Sequence, residues 1–275
     1  MDTPEDAASV RLQVTGPVAT VTMDHLARRN ALTTAMLHHL EDILTTVQSD
    51  RSIRIVVLTG AGGDFSAGMD IRSLRSARER GVELEHRMTD AEERLAAFPK
   101  PTVAAVEGYC VGGGMQLALA CDLRLASECA RFGVTPAKLG IAYPPRTVAR
   151  LVRTLGPAAA KRLVFTAELI DADTALRMGL VDEVTPSGGV AARATELAHL
   201  VSTRSAISLA AAKEMIDAAG GHDIDQAVTR RWSQEANPDA AEGIDAFLAG
   251  RAPRFSGDGP AGTQPAGSAL PPRLR

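Results

Sequence analysis

The sequence predicts an α/β domain followed by a helical C-terminal region. Two apolar runs, Ile53–Thr59 and Val103–Val106, have the composition of buried strands. Each run leads into a glycine-rich loop, and from Arg146 onward the apolar residues recur mostly at helical spacing. Strands mixed with helices early in a chain, with helices alone later, are typical of this class.

The N-terminal elements follow from hydrophobic periodicity. Residues 10–15 and 18–23 alternate apolar and polar side chains around Gly16-Pro17, which predicts a β-hairpin. Apolar residues recur at helical spacing from Thr33 to Ser49, so we expect a helix there. Residues 72–95 are densely charged, and we interpret them as mobile, solvated helical segments.

The stretch from Val103 to Asp122 organises the chain. Three consecutive glycines, Gly112 to Gly114, separate its strand from an apolar helix that begins near Gly113. Glycines leave backbone N–H groups uncovered by side chains, and a helix N-terminus favours negative charge. This junction therefore suits a phosphate or an oxyanion that develops during a reaction.

The later elements carry clear start and stop signals. A strand is expected from Asp122 to Ala126, and Pro157 suits the first turn of a helix that ends at Thr166. Asp171 can cap the next helix, which Gly179 ends. A short strand and four helices are then expected at residues 181–184, 188–202, 206–219, 222–235 and 238–249. The domain boundaries follow as a flexible N-terminus (1–8), a core (9–200), a helical region (201–255) and a disordered tail (256–275).

Composition excludes several classes of function. The 275 residues are 45% hydrophobic and 23% charged, as in ordinary globular proteins, and a net charge of −3 gives no reason to expect nucleic-acid binding. The three cysteines are odd in number and lack CxxC spacing, so neither a disulfide framework nor a zinc site is expected. The cysteine usage predicts a reducing, cytoplasmic setting. The acidic N-terminus does not resemble a signal peptide, and no apolar run is long enough for a membrane span.

Two glycine-rich loops are the main chemical signal. If their strands are neighbours, an N–H near Gly68–Met69 and one near Gly113–Gly114 could converge on a single carbonyl oxygen and form an oxyanion hole. Dinucleotide, P-loop and serine-hydrolase sites are disfavoured because neither loop contains GxGxxG, and because GK[ST] and GxSxG are absent from the sequence. Asp70 and Asp122 each border a structured segment, where capping is as good an explanation as catalysis.

Several segments together resemble the enoyl-CoA hydratase/isomerase family, also called the crotonase superfamily. They keep the family's order and span roughly residues 9–257. The segments include Arg29-Asn-Ala-Leu32, Phe65-Ser-Ala-Gly-Met-Asp70, Lys100-Pro-Thr-Val-Ala-Ala-Val-Glu-Gly108, Gly112-Gly-Gly-Met-Gln-Leu-Ala118 and Gly179-Leu-Val-Asp-Glu-Val184.

The resemblance implies a spiral of ββα units with a C-terminal helical region that builds a homotrimer or homohexamer. It implies binding of acyl-CoA thioesters, with coenzyme A as part of the substrate, no permanently bound cofactor and no metal. The family's oxyanion donors fall on Met69 and Gly113. Its coenzyme A contacts fall on these positions: Arg28, Arg29, Ala67, Asp70, Arg251, Arg254 and Phe255.

Departures from the family pattern bear on the reaction. The two glutamates of typical hydratases fall on Gln116 and Pro136, neither of which can transfer a proton near neutral pH. Thr135-Pro136, Leu139-Gly140 and Tyr143 instead resemble methylmalonyl-CoA decarboxylase-like members, although the equivalent of Met69 is often a histidine there. The sequence therefore favours decarboxylation of a malonyl-type thioester, with Tyr143 and Gln116 orienting the carboxylate or protonating the product.

Two alternatives stay open. The first is an enoyl-CoA hydratase or isomerase with a non-standard acid such as Asp70, Glu107 or His86. The second is a non-catalytic acyl-CoA-binding subunit that keeps the scaffold. The sequence alone does not separate them, because a fold does not fix a function.

Overall fold

The computed structural model describes residues 8–79, 84–219, 226–234 and 237–255. Its contacts divide the chain into two units, Met1–Thr203 and Arg204–Arg275. The strands are β1 (Ser9–Thr15), β2 (Val18–Asp24), β3 (Ile55–Gly60), β4 (Thr102–Val106), β5 (Tyr109–Val111), β6 (Leu123–Ser127), β7 (Arg131–Gly133), β8 (Leu169–Asp171) and β9 (Glu183–Thr185). The helices are α1 (Thr34–Ser49), α2 (Ile71–Glu79), α3 (Leu84–Ala96), α4 (Gly113–Ala120), α5 (Pro145–Thr166), α6 (Ala172–Arg177), α7 (Val190–Ser202), α8 (Ala206–Ala219), α9 (Gln226–Gln234) and α10 (Asp239–Leu248).

The main sheet of the first unit confirms the predicted α/β class. Its order is β1-β2-β3-β4-β6-β9, with β1 antiparallel to β2 and the remaining pairs parallel. Ile55 to Leu58 are buried because alternate side chains of β3 enter cores on opposite faces of the sheet. Helices α1, α3 and α4 contribute to one core, and α7 contributes to the other. The continuous apolar run of β3 is thereby explained.

A second, three-stranded sheet was not predicted. It pairs β5 with β7 in parallel and β7 with β8 in antiparallel fashion. Each strand has three residues, too few to show the alternation by which strands are recognised in a sequence. This sheet matters because β5 leads directly into the glycines before α4.

The prediction of solvated helices at residues 72–95 is wrong for α3 from Met88 onward. Met88, Ala91 and Leu95 belong to the core, and the carboxylate-bearing Glu92 is fully buried beside them. The many charged residues obscure the helical periodicity of the apolar ones in the sequence, and these apolar residues form a face that packs against α1 and α4.

Two local signals in the later helices are confirmed. Gly156 has φ 75° and ψ 163° and kinks α5 where Pro157 begins its second part. The Asp171 carboxylate accepts a hydrogen bond from the Thr174 amide at 2.8 Å and so caps α6.

The second unit contains α8, α9 and α10 within its described residues. Glu214 of α8 accepts hydrogen bonds from Arg231 and from the Trp232 indole of α9. Arg251 forms a bidentate ion pair with Glu242 of α10. In the part of the chain that the structure describes, the helices lack the length and apolar character needed to span a membrane.

Asn30 ties together three segments near the first glycine-rich loop. Its side chain is fully buried, accepts a hydrogen bond from the His25 amide and donates to the carbonyl groups of Ala61 and Asp64. Its backbone has φ 57°, a left-handed conformation that asparagine tolerates better than most residues. Asparagine thus supplies the acceptor and the donor that these partners need, in a backbone conformation that it tolerates.

We expect Asn30→Ala to lower the free energy of unfolding by about 2–4 kcal/mol, because one buried and two partly buried hydrogen-bonding groups lose their partner. Urea denaturation followed by circular dichroism measures the change. Ser49→Ala, at an exposed position of α1, is the matched control and should change stability by no more than about 0.5 kcal/mol. Equal stabilities of the two variants would contradict this role of Asn30.

Candidate active site

The first glycine-rich loop is held by backbone hydrogen bonds on both sides. The Leu32 amide donates to the Gly68 carbonyl at 2.7 Å, and the Asp70 amide donates to the Leu32 carbonyl at 2.9 Å. On the other side, the Ser66 amide donates to the backbone carbonyl of Tyr109, and the Val111 amide donates to the backbone carbonyl of Ser66 at 3.0 Å. These bonds fix the loop between the segment before α1 and strand β5.

This register directs the Met69 amide toward α4. In this parallel bridge Leu32 bonds to Gly68 and Asp70, the two neighbours of Met69, and not to Met69 itself, so the Met69 N–H points away from Leu32. A Cβ atom built on Gly113 would lie 3.3 Å from the Met69 nitrogen, and one built on Gly68 would lie 3.2 Å from the Gly113 nitrogen. Neither the Met69 nor the Gly113 N–H donates a hydrogen bond within the described residues. The two loops therefore do converge.

Each glycine of the second loop has its own structural reason. Gly112 has φ 54°, in the left-handed region that favours glycine. A Cβ on Gly114 would lie 2.6 Å from the Ser66 carbonyl oxygen, so this glycine permits close packing of the two loops. Gly113 begins α4, where its N–H has no partner within the helix and the helix dipole favours negative charge.

A cavity of about 140 Å³ opens beside the two amides. Its wall is mostly apolar, and Gln116, Thr135 and Tyr143 supply the polar side chains. The apolar side chains of the lining are Ala67, Met69, Ile71, Leu74, Met88, Pro136, Leu139, Ile141, Ala142 and Pro144. Of the described residues that line it, none carries a carboxylate or a cationic side chain.

Gln116 and Pro136, the positions of the expected hydratase glutamates, both line this cavity. Gln116 is 4% exposed, and its Nε2 atom donates to the Thr147 hydroxyl at 3.3 Å. Pro136 begins a 3₁₀ turn, Pro136–Leu139, and is buried. The site therefore lacks the two carboxylates at these positions, as the sequence indicates.

Tyr143 also lines the cavity, and its hydroxyl donates to the Gly112 carbonyl at 2.9 Å. Burial, together with the nearby Glu92 and Cys110, raises the pKa of its phenol. The side chain is therefore neutral at physiological pH, and its hydroxyl proton is already donated in a hydrogen bond to the loop that precedes Gly113. Its hydroxyl is a support for this loop as much as a group for the substrate.

Of the residues expected to contact coenzyme A, Ala67 lines the cavity, while Arg28 and Arg29 lie in the segment before α1. Ala67 is exposed at the cavity, and its amide donates to the Arg29 carbonyl at 2.9 Å. The Arg29 guanidinium lies 4.5 Å from the centre of the Tyr109 ring and 4.0 Å from the Asp64 carboxylate. Arg28 lies in the 3₁₀ turn just before it and is partly exposed.

Asp70 acts as a helix cap. Its carboxylate accepts a hydrogen bond from the Ser73 amide at 2.8 Å at the start of α2, and the side chain is 8% exposed. Asp70 and Glu107 are both outside the cavity wall, while the side chain of His86 lies outside the described residues. The capping interpretation of Asp70 is confirmed.

The three C-terminal residues expected to contact coenzyme A, Arg251, Arg254 and Phe255, belong to the second unit. Glu242 accepts hydrogen bonds from the Arg251 guanidinium and from the Arg254 amide, and these bonds lower the pKa of Glu242 to about 2. Phe255 packs near Gly243 of α10 and lines a groove on this unit. Arg251 thus has a carboxylate partner within its own unit.

Three polar residues behind the cavity were missed. Thr147 and Glu92 are fully buried, and the Thr147 hydroxyl donates to Glu92 at 2.5 Å. Arg150 pairs with the other oxygen of Glu92. Glu92 was passed over because it lies in the densely charged stretch; an acid at the spacing of Met88, Ala91 and Leu95 is the signal that could have identified it.

Comparison with known proteins identifies the family. The family model "Enoyl-CoA hydratase/isomerase" matches residues 13–258. A putative enoyl-CoA hydratase of Thermus thermophilus is 39% identical over 87% of this chain and 98% of its own length. The 2,3-dehydroadipyl-CoA hydratase of Escherichia coli is 36% identical over 87% of this chain and 95% of its own.

Solved structures give the same result for the fold. The crystal structure of an enoyl-CoA hydratase from Bacillus anthracis superposes with a TM-score of 0.85 at 30% identity, covering 90% of this chain and 99% of that one. A further enoyl-CoA hydratase/isomerase family structure has a TM-score of 0.82 at 36% identity, covering 90% and 97%. The chain belongs to the enoyl-CoA hydratase/isomerase family, the crotonase superfamily.

Proposed function

We propose that this protein binds an acyl-CoA thioester and stabilises the thioester enolate with the N–H groups of Met69 and Gly113. The observation that carries the proposal is their convergence, without protein acceptors among the described residues, at the wall of an apolar cavity. An enolate places negative charge on the thioester oxygen. Two fixed donors at a helix N-terminus favour that charge more than the neutral carbonyl, which lowers the barrier.

The cavity suits a short, neutral acyl group. At about 140 Å³ it is close to the ~150 Å³ of an engineered apolar cavity that holds benzene. Its described lining has no cation to pair with a second carboxylate. A charged acyl end would lose its hydration there without compensation.

The reaction that we favour is addition of water to an enoyl thioester. The sequence alone favours decarboxylation, but the relatives reported above are named as hydratases, which supports the alternative. In this reaction the water oxygen bonds to the β-carbon and passes one of its protons to a second water molecule, while the electrons of the double bond shift to form the enolate. The α-carbon then takes a proton from water as the enolate returns to a thioester, so that one water molecule is added in total. Gln116 would orient the water by hydrogen bonding without accepting its proton.

Hydration by this site should be slow. A positioned acid or base typically contributes 10²–10⁴-fold to the rate, and no described side chain in the cavity wall can serve as a base near neutral pH. The missing acid and base thus set the expected rate below that of a site that has two glutamates.

Decarboxylation is the second candidate, supported by that same lack of a carboxylate in the wall. The bond between the α-carbon and the carboxylate breaks, and its electron pair enters the enolate held by the two amides. This step needs no base. Only protonation of the α-carbon remains, for which water or Tyr143 would be the source.

Mass spectrometry of the protein incubated separately with crotonyl-CoA and methylmalonyl-CoA distinguishes these reactions. We expect crotonyl-CoA to gain one water and methylmalonyl-CoA to remain intact. Loss of carbon dioxide from methylmalonyl-CoA, with crotonyl-CoA unchanged, would overturn hydration in favour of the second candidate. Tight binding of both with no change in either would favour a non-catalytic acyl-CoA-binding subunit.

The role of the Gly113 amide can be tested separately. Gly113→Pro removes the N–H at the first position of α4, where a helix tolerates proline. Gly113→Ala adds the same Cβ but keeps the N–H, so it is the matched control. We expect kcat/KM of the proline variant to fall about 10²–10³-fold below that of the alanine variant. Equal kcat/KM values for two folded variants that both retain activity would exclude this amide as an oxyanion donor.

The assembly is also a proposal. The family resemblance implies a homotrimer or homohexamer, and the exposed Ile244, Phe247 and Leu248 on α10 would be suitable subunit contacts. Coenzyme A enters only as part of the substrate.

A further inference from the structure

A chain of buried polar groups reaches from the cavity into the protein. Gln116 of α4 lines the cavity, Thr147 of α5 lies behind it, and Glu92 of α3 lies behind Thr147. Thr147 and Glu92 are 0% exposed. Buried polar side chains at this depth require partners: Gln116 bonds to Thr147, and Thr147 bonds to Glu92.

Glu92 is held by a charge pair. Arg150 of α5 donates to one oxygen of Glu92 and, at 2.8 Å, to Glu93, which also accepts from Arg146 at 2.8 Å. Burial raises the pKa of Glu92, while Thr147 and Arg150 act in the opposite direction. The cation next to it makes the ionised carboxylate tolerable in a buried position.

The hydroxyl of Thr147 has a single proton, so it can donate only one hydrogen bond. This fixes which groups donate and which accept in the series Gln116–Thr147–Glu92. Opposite an ionised Glu92 that proton must go to the carboxylate, so Thr147 can only accept from Gln116. The amide nitrogen of Gln116 then faces Thr147 at 3.3 Å. Its Oε1 atom, on the other branch of the amide, is left as an acceptor for the cavity.

We propose that Glu92 and Thr147 are positioning residues that determine which end of the Gln116 amide faces the substrate. With Glu92 ionised, the cavity has an acceptor that can orient a water molecule. When Glu92 is protonated, it can donate to Thr147, which can donate to Gln116 Oε1, and the amide NH₂ then faces the cavity. The consequence for turnover rests on the proposed function, but the amide orientation does not.

Protonation of Glu92 reverses the direction of these hydrogen bonds, so the charged groups around Glu92 matter. The charged and titratable groups nearest to it are Arg150 on α5, Glu93 on α3 and Tyr143 in the segment before α5. Helix α4 carries no titratable side chain, and the buried face of α1 is apolar. On α2, Arg75 and Glu79 pair with each other at 2.9 Å. Glu92 is therefore the group in contact with Thr147 that can change charge.

Nuclear magnetic resonance of the full chain labelled with ¹⁵N at the glutamine side-chain amides tests this orientation without any substrate. The Gln116 signal is assigned by its loss in Gln116→Leu. We expect that signal to shift with pH in one step. The step should disappear in the nearly isosteric Thr147→Val and in Glu92→Gln, and return in Thr147→Ser, which restores the hydroxyl.

Thr154→Val is the matched control, because Thr154 lies on the same helix and its hydroxyl donates to the Arg150 carbonyl at 3.0 Å. This variant should retain the step. A Gln116 signal that does not change with pH in the wild type, or a step that persists in folded Thr147→Val, would overturn the proposal. Glu92→Gln is not required for this conclusion, so its failure to fold would leave the test intact.

Turnover provides a second, separable readout. If the protein hydrates a thioester, Thr147→Val should lower kcat roughly tenfold with little change in KM, as expected for one lost orienting hydrogen bond, and Thr147→Ser should recover it. A purely structural role would lower stability without changing the pH profile of kcat. If no thioester reacts, the proposed function fails while the resonance experiment still decides the orientation.

Discussion

The pairing of the first glycine-rich loop with the chain on both its sides is the constraint on which the site depends. Leu32 holds Gly68 and Asp70 from one side, and β5 holds Ser66 from the other. These bonds leave Met69 between two bonded neighbours with its own amide directed toward α4. An oxyanion hole formed by backbone amides requires such a fixed register, because no side-chain rotamer can correct a misplaced N–H.

The glycines follow from this close approach. Side chains at Gly68 or Gly113 would enter the space between the two amides, and one at Gly114 would meet the Ser66 carbonyl. Behind the amides, α4 is buried along its whole length, so its N-terminus cannot shift without disturbing the core. The two amides are thus held rigidly before any ligand arrives, as the proposed electrostatic preorganisation requires. If they form an oxyanion hole, the groups that surround it determine the reaction.

Much of this architecture was predictable from the sequence, and the exceptions have physical reasons. The strand β3, the hairpin of β1 and β2, and the two glycine-rich loops gave strong local signals. The small sheet was missed because three-residue strands have no measurable period. The convergence of the loops could be stated only as a condition, since it depends on which strands are neighbours.

The pairing of the polar residues behind Gln116 could not be predicted from the sequence for a different reason. Glu92 and Arg150 are 58 residues apart, and only the packing of α3 against the rest of the core brings them together. The spacing of Glu92 relative to its apolar neighbours indicates that its side chain is buried, but the sequence does not show which cation pairs with it, because Arg150 alone resembles an ordinary surface charge. By contrast, the lack of carboxylates at Gln116 and Pro136 could be read directly from the residues, and both positions do line the cavity.

The claim that the Met69 and Gly113 amides bind a thioester oxygen can be tested most directly by isotope-edited infrared spectroscopy of bound butyryl-CoA, a saturated thioester that cannot add water. The ¹³C=O label on the thioester isolates its carbonyl stretch. Two donors polarise this bond, so we predict a lower stretching frequency in the complex than in free solution, and a smaller shift with Gly113→Pro. A bound thioester whose carbonyl frequency equals that in water, or is the same in Gly113→Pro, would contradict the account.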